Sequence, residues 1–137
     1  MKVVLDTNVI ISGLLNSKGS PAQVIDLWIN GSIKVTISPT LIEEVLNVIT
    51  RPKFKPLGSL DERCELIRKL FEHAEIVNPS KKLRIITDDG ADNRVLECAV
   101  TCNADHIVSG DSHLLHLKKY REIEILSPHK FIKISKE

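Results

Sequence analysis

At 137 residues, 42% hydrophobic and 27% charged, the chain is long and apolar enough for one ordinary domain with a real core, which excludes a disordered tail. A net charge of +1 excludes a global pull toward nucleic acid or an anionic membrane, so any such binding must come from a local patch. Aromatic residues make up only 4%, so stacking platforms for single strands are scarce.

The elements alternate along the chain. Lys2 to Leu5 is a short apolar strand, and Asn8 to Leu15 has helical spacing before the polar loop Asn16 to Ser20. Ser20-Pro21 reads as an N-cap followed by a first-turn proline, starting a helix that runs to about Asn30 before Gly31. Ile33 to Ile37 is a β-branched strand, and Ser38-Pro39 repeats the cap-and-proline start. In the helix that follows, Leu41, Ile42, Val45, Leu46, Val48 and Ile49 form a broad apolar face that ends at Arg51-Pro52.

Lys53 to Ser59 reads as a Pro/Gly loop, Asp61 to His73 as a helix and Ile76-Val77 as a short strand. Leu83 to Ile86 is a weaker strand candidate, and Asp88 to Asp92 reads as an acidic loop before a helix over Asn93 to Cys102. His106 to Val108 is a strand, Leu114 to Leu117 a turn of helix, Ile123 to Leu126 a last strand, and Ser127-Pro128 starts a final short helix. Short apolar strands separated by helices predict an α/β fold with a mainly parallel sheet covered on both faces, in one domain over 1–137.

The three cysteines, Cys64, Cys98 and Cys102, form no disulfide-like pattern, which points to a reducing compartment. There is no signal-like segment and no apolar run near the roughly 20 residues that span a bilayer. The reading is a cytoplasmic protein with no membrane partner.

The chemistry lies in the carboxylates. Asp6 directly follows the first strand, Asp111 follows Ile107-Val108 after a Ser-Gly turn, and Asp92 opens the helix before that strand. In an open parallel sheet the functional crevice lies beyond the carboxyl ends of the strands. If these strands are adjacent, three carboxylates converge there, and such crowding is relieved by a cation between them. Hard oxygen donors suit Mg²⁺ or Mn²⁺, which can activate water and stabilise charge on a phosphoryl oxygen. Each Asp also stands where a helix begins, and capping alone would account for any one of them. A fourth acid comes from Glu43-Glu44. Glu44 borders the buried stripe of its helix and is the better candidate, with Glu43 not excluded by spacing.

Competing constellations are weaker. Cys98, Cys102 and His106 recur every four residues and offer a zinc set, but the cysteines share a face with Val95, Leu96 and Ala99 and read as core. His113 and His116 are a possible metal pair. No nucleotide-binding glycine motif follows the first strand.

The stretches "VVLDTNVIISGLL", "SPTLIEEVLNVITRPKF", "ADNRVLECAV" and "ADHIVSGDSHLL" resemble the successive motifs of the PIN-domain family, in the branch of small prokaryotic proteins described as toxin components of toxin–antitoxin pairs. The resemblance runs from Met1 to about Phe131. It implies a three-layer α/β/α, flap-nuclease-like fold and a metal-dependent ribonuclease using Mg²⁺ or Mn²⁺. It also implies an RNA substrate, a homodimer and an antitoxin partner. Carried over, the catalytic and metal-holding acids are Asp6, Glu44, Asp92 and Asp111. Ser109 falls where the family usually has Thr or Ser. Asn8 would orient Asp6 or contact water at the metal, and Asn93 is a candidate for a secondary role. Glu97 is expected to be a solvent or salt-bridge residue. His113 departs from the pattern, because relatives often carry another Asp there. That departure bears on a second metal site or on metal preference. Arg51 and Lys53, with Lys55, and also Arg94 are candidates for phosphate contacts, against an ordinary solvated loop for the first three. The alternative function is a PIN-like RNA- or protein-binding module with little catalysis, and a small metal-dependent phosphatase is a third.

Overall fold

The computed structural model describes residues 1–79 and 93–136, and the backbone of 90–92. The elements run β1 (Lys2–Leu5), α1 (Thr7–Leu15), α2 (Ser20–Ile29), β2 (Lys34–Ile37), α3 (Pro39–Ile49), a 3₁₀ helix (Pro52–Leu57), α4 (Leu60–Phe71), β3 (Ala74–Ile76), α5 (Gly90–Cys102), β4 (His106–Val108), α6 (Ser112–Leu117), β5 (Lys119–Tyr120), β6 (Ile123–Leu126) and α7 (Pro128–Ser135). The expected strand over Leu83 to Ile86 lies outside the described residues.

Three local expectations need correction. The stretch expected as a Pro/Gly loop from Lys53 is a 3₁₀ helix in which Phe54 is buried. Prolines at its first and fifth positions suit such a tight turn. The acidic loop expected to run to Asp92 gives way by Gly90 to helix α5. The two-residue strand β5 pairs antiparallel with β6, which its length hid from the sequence pattern.

The six strands form one sheet in the order β3-β2-β1-β4-β6-β5. Every pairing is parallel except β5 with β6. Val3, Val4 and Ile107 in the two central strands are fully buried, as expected for a parallel sheet covered on both faces. α1, α2 and α7 pack together, and α5 lies across β1, β2 and β4 beside α3.

Two contacts fix α2 against its neighbours. Gly13 lets α1 approach α2: a Cβ there would lie 2.4 Å from Ile25 Cδ1 and 2.9 Å from the Pro21 carbonyl oxygen. Trp28 is buried in α2, stacks on Phe71 with ring centroids 6.1 Å apart, and donates its indole N–H to the His73 carbonyl at 3.1 Å. Among the described residues, no helix is long and apolar enough to cross a membrane.

Candidate active site

The chain lays β1, β2 and β3 in one direction and then returns to place β4 on the other side of β1. The strand order therefore reverses between β1 and β4. At such a switch point the adjoining connections leave in opposite directions and open a crevice beyond the carboxyl ends of the strands. Asp6 and Ser109 are the first residues past β1 and β4. The ladder continues through both, with the Asp6 N–H donating to Val108 O and the Ser109 N–H to Leu126 O, each at 3.0 Å.

Asp6 occupies the N-cap of α1, yet its side chain caps nothing there. Its backbone carbonyl accepts from the Val9 and Ile10 N–H groups, while Oδ2 accepts the Ser109 hydroxyl at 2.7 Å. Asp6 is 6% exposed and Ser109 wholly buried. A buried carboxylate is costly unless it is hydrogen-bonded, and a fixed hydroxyl donor both lowers that cost and sets its direction. Thr7, next in the chain, is also buried, and its hydroxyl has no hydrogen-bond partner among the described residues. In the sequence Thr7 is marked only as a polar residue inside an otherwise apolar run.

The Ser109 oxygen also accepts the Asp111 N–H at 2.9 Å. Asp111 is the N-cap of α6, with Oδ1 accepting from the N–H groups of His113 at 2.8 Å and Leu114 at 3.3 Å. Capping and convergence on the sheet edge thus both hold for Asp111. Oδ2 takes no part in the cap, and the side chain is 26% exposed. The His113 ring nitrogen Nδ1 lies 3.8 Å from Asp111 Oδ1.

Glu44 is half-buried on α3 while Glu43 is exposed, the order given by the apolar stripe. α3 packs against α1 and α5. The Asp92 side chain lies outside the described residues. Asn93 is buried. Glu97 is 5% exposed, so its expectation as a solvent residue is wrong, and its expectation as an ion-pair residue is met by Arg94. That pair forms because positions three apart on a helix are neighbours. Asn8 is exposed in the first turn of α1, with no hydrogen bond to Asp6 among the described residues. Arg51, Lys53 and Lys55 are exposed around the 3₁₀ helix, and the Lys53 ammonium lies 5.1 Å from the Phe54 ring centre.

The oxygen donors Asp6, Glu44 and Asp111 suit Mg²⁺ or Mn²⁺ by their chemistry. Among the described residues no group of three or more His, Cys, Asp or Glu is placed to hold a metal ion. The zinc alternative at Cys98, Cys102 and His106 therefore has no support. Both thiols are buried and free, and burial pushes Cys98 up to about 12, with Cys102 adding to the shift. His106 instead packs edge-on against Phe131, with ring centroids 5.7 Å apart.

Fold and site together define an α/β domain that carries a buried carboxylate, Asp6, with half-buried Asp111 close by, at the switch point of a mainly parallel sheet. A family model described as PIN domain matches residues 2–113, and the chain belongs to that family, whose members are generally nucleases. The chain is 30% identical to an uncharacterized protein of Methanocaldococcus jannaschii, covering 96% of this chain and 90% of that one. Its fold is similar to VapBC2 from Rickettsia felis, solved bound to a DNA fragment from their promoter. There the TM-score is 0.66 at 16% identity, over 91% of this chain and 97% of the other. It is also similar to VapBC-1 from nontypeable Haemophilus influenzae, with a TM-score of 0.64 at 13% identity over 94% and 99% of the two chains. The three-layer α/β/α arrangement expected from the sequence is the one these structures share.

Proposed function

We propose that the protein is a divalent-metal-dependent endoribonuclease, the cytoplasmic toxin of a toxin–antitoxin pair, acting as a homodimer. The observation that carries this reading is the buried Asp6 carboxylate. It declines the cap position it occupies and is held by Ser109 at the switch point, one short turn from Asp111. A carboxylate serving only the helix would bond the N–H groups of α1. Membership of the PIN-domain family supports nuclease activity, and likeness in fold to the VapBC structures supports an antitoxin partner.

In this reading Asp6, Glu44, Asp92 and Asp111 would hold Mg²⁺ or Mn²⁺. When bound, the ion supplies an activated water and stabilises charge on a phosphoryl oxygen. The chain's own residues do the positioning. Ser109 keeps one Asp6 oxygen pointed across the crevice. The α6 cap fixes the Asp111 carboxylate through Oδ1 and leaves Oδ2 for the site. Asn8, exposed on the first turn of α1, would orient Asp6 or contact water at the metal, and its exposure favours the second. Arg94, restrained by Glu97, and the exposed Arg51 and Lys53 are the candidates for phosphate contacts.

The test is cleavage of mixed single-stranded RNA with Mn²⁺ or Mg²⁺, comparing wild type with Asp6→Asn and Asp111→Asn. Metal-dependent cutting lost in both variants, with circular dichroism unchanged, is the expected result. Cutting that survives in both overturns the site assignment. Wild-type protein that binds RNA without cutting it points to the binding-module alternative.

A further inference from the structure

We propose that the lysine face of α7 is a phosphate-binding track for single-stranded RNA that begins at the catalytic edge of the sheet. This rests on the RNA reading above and adds a surface to it. The near-neutral net charge conceals a segregation: residues 112–137 hold six of the 19 Lys and Arg but only three of the 18 Asp and Glu.

α7 has two different sides. Phe131 and Ile132 are buried, while His129, Lys130, Lys133 and the C-cap Lys136 are exposed. At 100° per residue these four positions fall within about 120° of the helix circumference. The helix itself, PHKFIKIS, contains no acid. None of the three lysines makes an ion pair among the described residues. The contrast with α4 is informative. There Arg68 is matched by Glu65 at 2.5 Å and Glu72 at 2.7 Å, a surface that neutralises itself. A run of like charges without such matching repels itself and gains most from an anionic partner.

The position of α7 gives this charge its meaning. The Leu126 carbonyl, at the end of β6, accepts the Ser109 N–H. The next residue, Ser127, caps α7 by accepting the Lys130 N–H on its hydroxyl at 3.2 Å. The first lysine thus lies one helical turn beyond the strand bonded to Ser109. The stripe then continues to Lys136, about 9 Å further along the axis. On the other side of β6, exposed Lys118 is tied to the sheet by its carbonyl, which accepts the Ile125 N–H at 2.9 Å, and it makes no described ion pair. Trp28 is buried and aromatic residues are few, so the grip offered is electrostatic and tolerant of sequence.

The test measures binding of a fluorescent single-stranded RNA oligonucleotide by anisotropy over a range of salt, in EDTA so that no cutting occurs. Wild type is compared with Lys130→Glu/Lys133→Glu/Lys136→Glu. A control triple with the same change in net charge, Lys18→Glu/Lys34→Glu/Lys69→Glu, is carried alongside. All six positions are exposed, so folding should survive, and thermal melts check it. The expected result is at least tenfold weaker binding for the α7 triple. Its log–log salt slope should flatten by about two, at roughly 0.7 per lost phosphate contact. The control should keep a slope close to wild type. Equal losses in the two triples, no loss in either, or no RNA binding by wild type would each overturn the track. The cleavage assay separates the two ideas. Metal-dependent cutting with an unchanged KM in the α7 triple leaves the nuclease and removes the track, whereas α7-dependent binding without cutting does the reverse.

Discussion

The Ser109 hydroxyl donates to Asp6 Oδ2 at 2.7 Å, joining the carboxyl ends of β4 and β1 across 103 residues of sequence. Because the same oxygen accepts the Asp111 N–H, this one buried side chain sets the relation between two acids of the proposed site. Ser109→Ala should therefore reduce divalent-metal affinity and cleavage by about 10- to 100-fold, the usual effect of losing a group that orients a ligand. It should cost about 1–3 kcal/mol of stability, since it strips a buried carboxylate of a donor. Ser109→Thr keeps the hydroxyl and should restore most of both. Calorimetric titration with Mn²⁺ beside a urea melt checks this. Loss of stability with metal affinity intact in Ser109→Ala would show that the serine serves only the fold.

The two neighbouring glutamates of α3 should behave differently. Glu44 is half-buried and Glu43 exposed. Glu44→Gln is expected to lower cleavage at least tenfold, and Glu43→Gln to leave it within twofold. Paired rate measurements at saturating Mn²⁺ decide between them, and the reverse order would move the ligand assignment to Glu43.

Arg63 is a buried cation that makes no ion pair among the described residues. Its guanidinium donates to the carbonyls of Ile49 at 2.8 Å, Arg51 at 3.0 Å and Gly58 at 3.1 Å, with Ser59 more distant at 3.4 Å. It therefore satisfies orphan carbonyls at the C-terminal end of α3, where the helix dipole favours a positive charge. Arg63→Met keeps much of the packed stem but removes the donors, and should cost about 2–3 kcal/mol. A denaturant midpoint within error of wild type would show that water replaces the guanidinium.

Gly13 gives a prediction against helix propensity. Alanine is better than glycine within an exposed helix by about 1 kcal/mol. Here the added methyl would lie 2.9 Å from the Pro21 carbonyl oxygen, and backbone cannot swing away as a side chain can. Gly13→Ala should be net destabilising by about 1–3 kcal/mol, read as a lower thermal midpoint. A higher midpoint would mean that α1 and α2 separate at little cost.

The thiols differ in access. In native protein a thiol reagent should modify half-buried Cys64 first, leaving buried Cys98 and Cys102 protected until the chain unfolds. Burial raises the Cys98 thiol from 9.0 to about 12. An acid with a raised folded-state pKa contributes its full stability below pH 9 and loses it as pH climbs toward 12. Stability of the wild type should fall over that alkaline range, and less so in Cys98→Ala relative to its own value at pH 8. Rapid native labelling of all three thiols would contradict the packing of α5.

Much of this protein was legible locally. Strand and helix positions followed from apolar period and from the Ser38-Pro39 and Ser127-Pro128 starts, because caps and first-turn prolines act within a few residues. At Ser20-Pro21 the first-turn proline held but the cap did not: Gly19 is the N-cap of α2, and Ser20 is its first residue. The expectation that Asp6 ends a core strand, and the preference for Glu44 over Glu43 by burial, came from the same short-range logic. What tertiary structure alone decided is which distant pieces meet. The order β3-β2-β1-β4-β6-β5 creates the switch point, and only that order brings Ser109 to Asp6. The burial of Glu97, the carbonyl cage around Arg63 and the placement of the α7 lysines just beyond the end of β6 were equally hidden. A residue's period along one element says which side it faces, whereas its partner across the sheet depends on how every element packs at once.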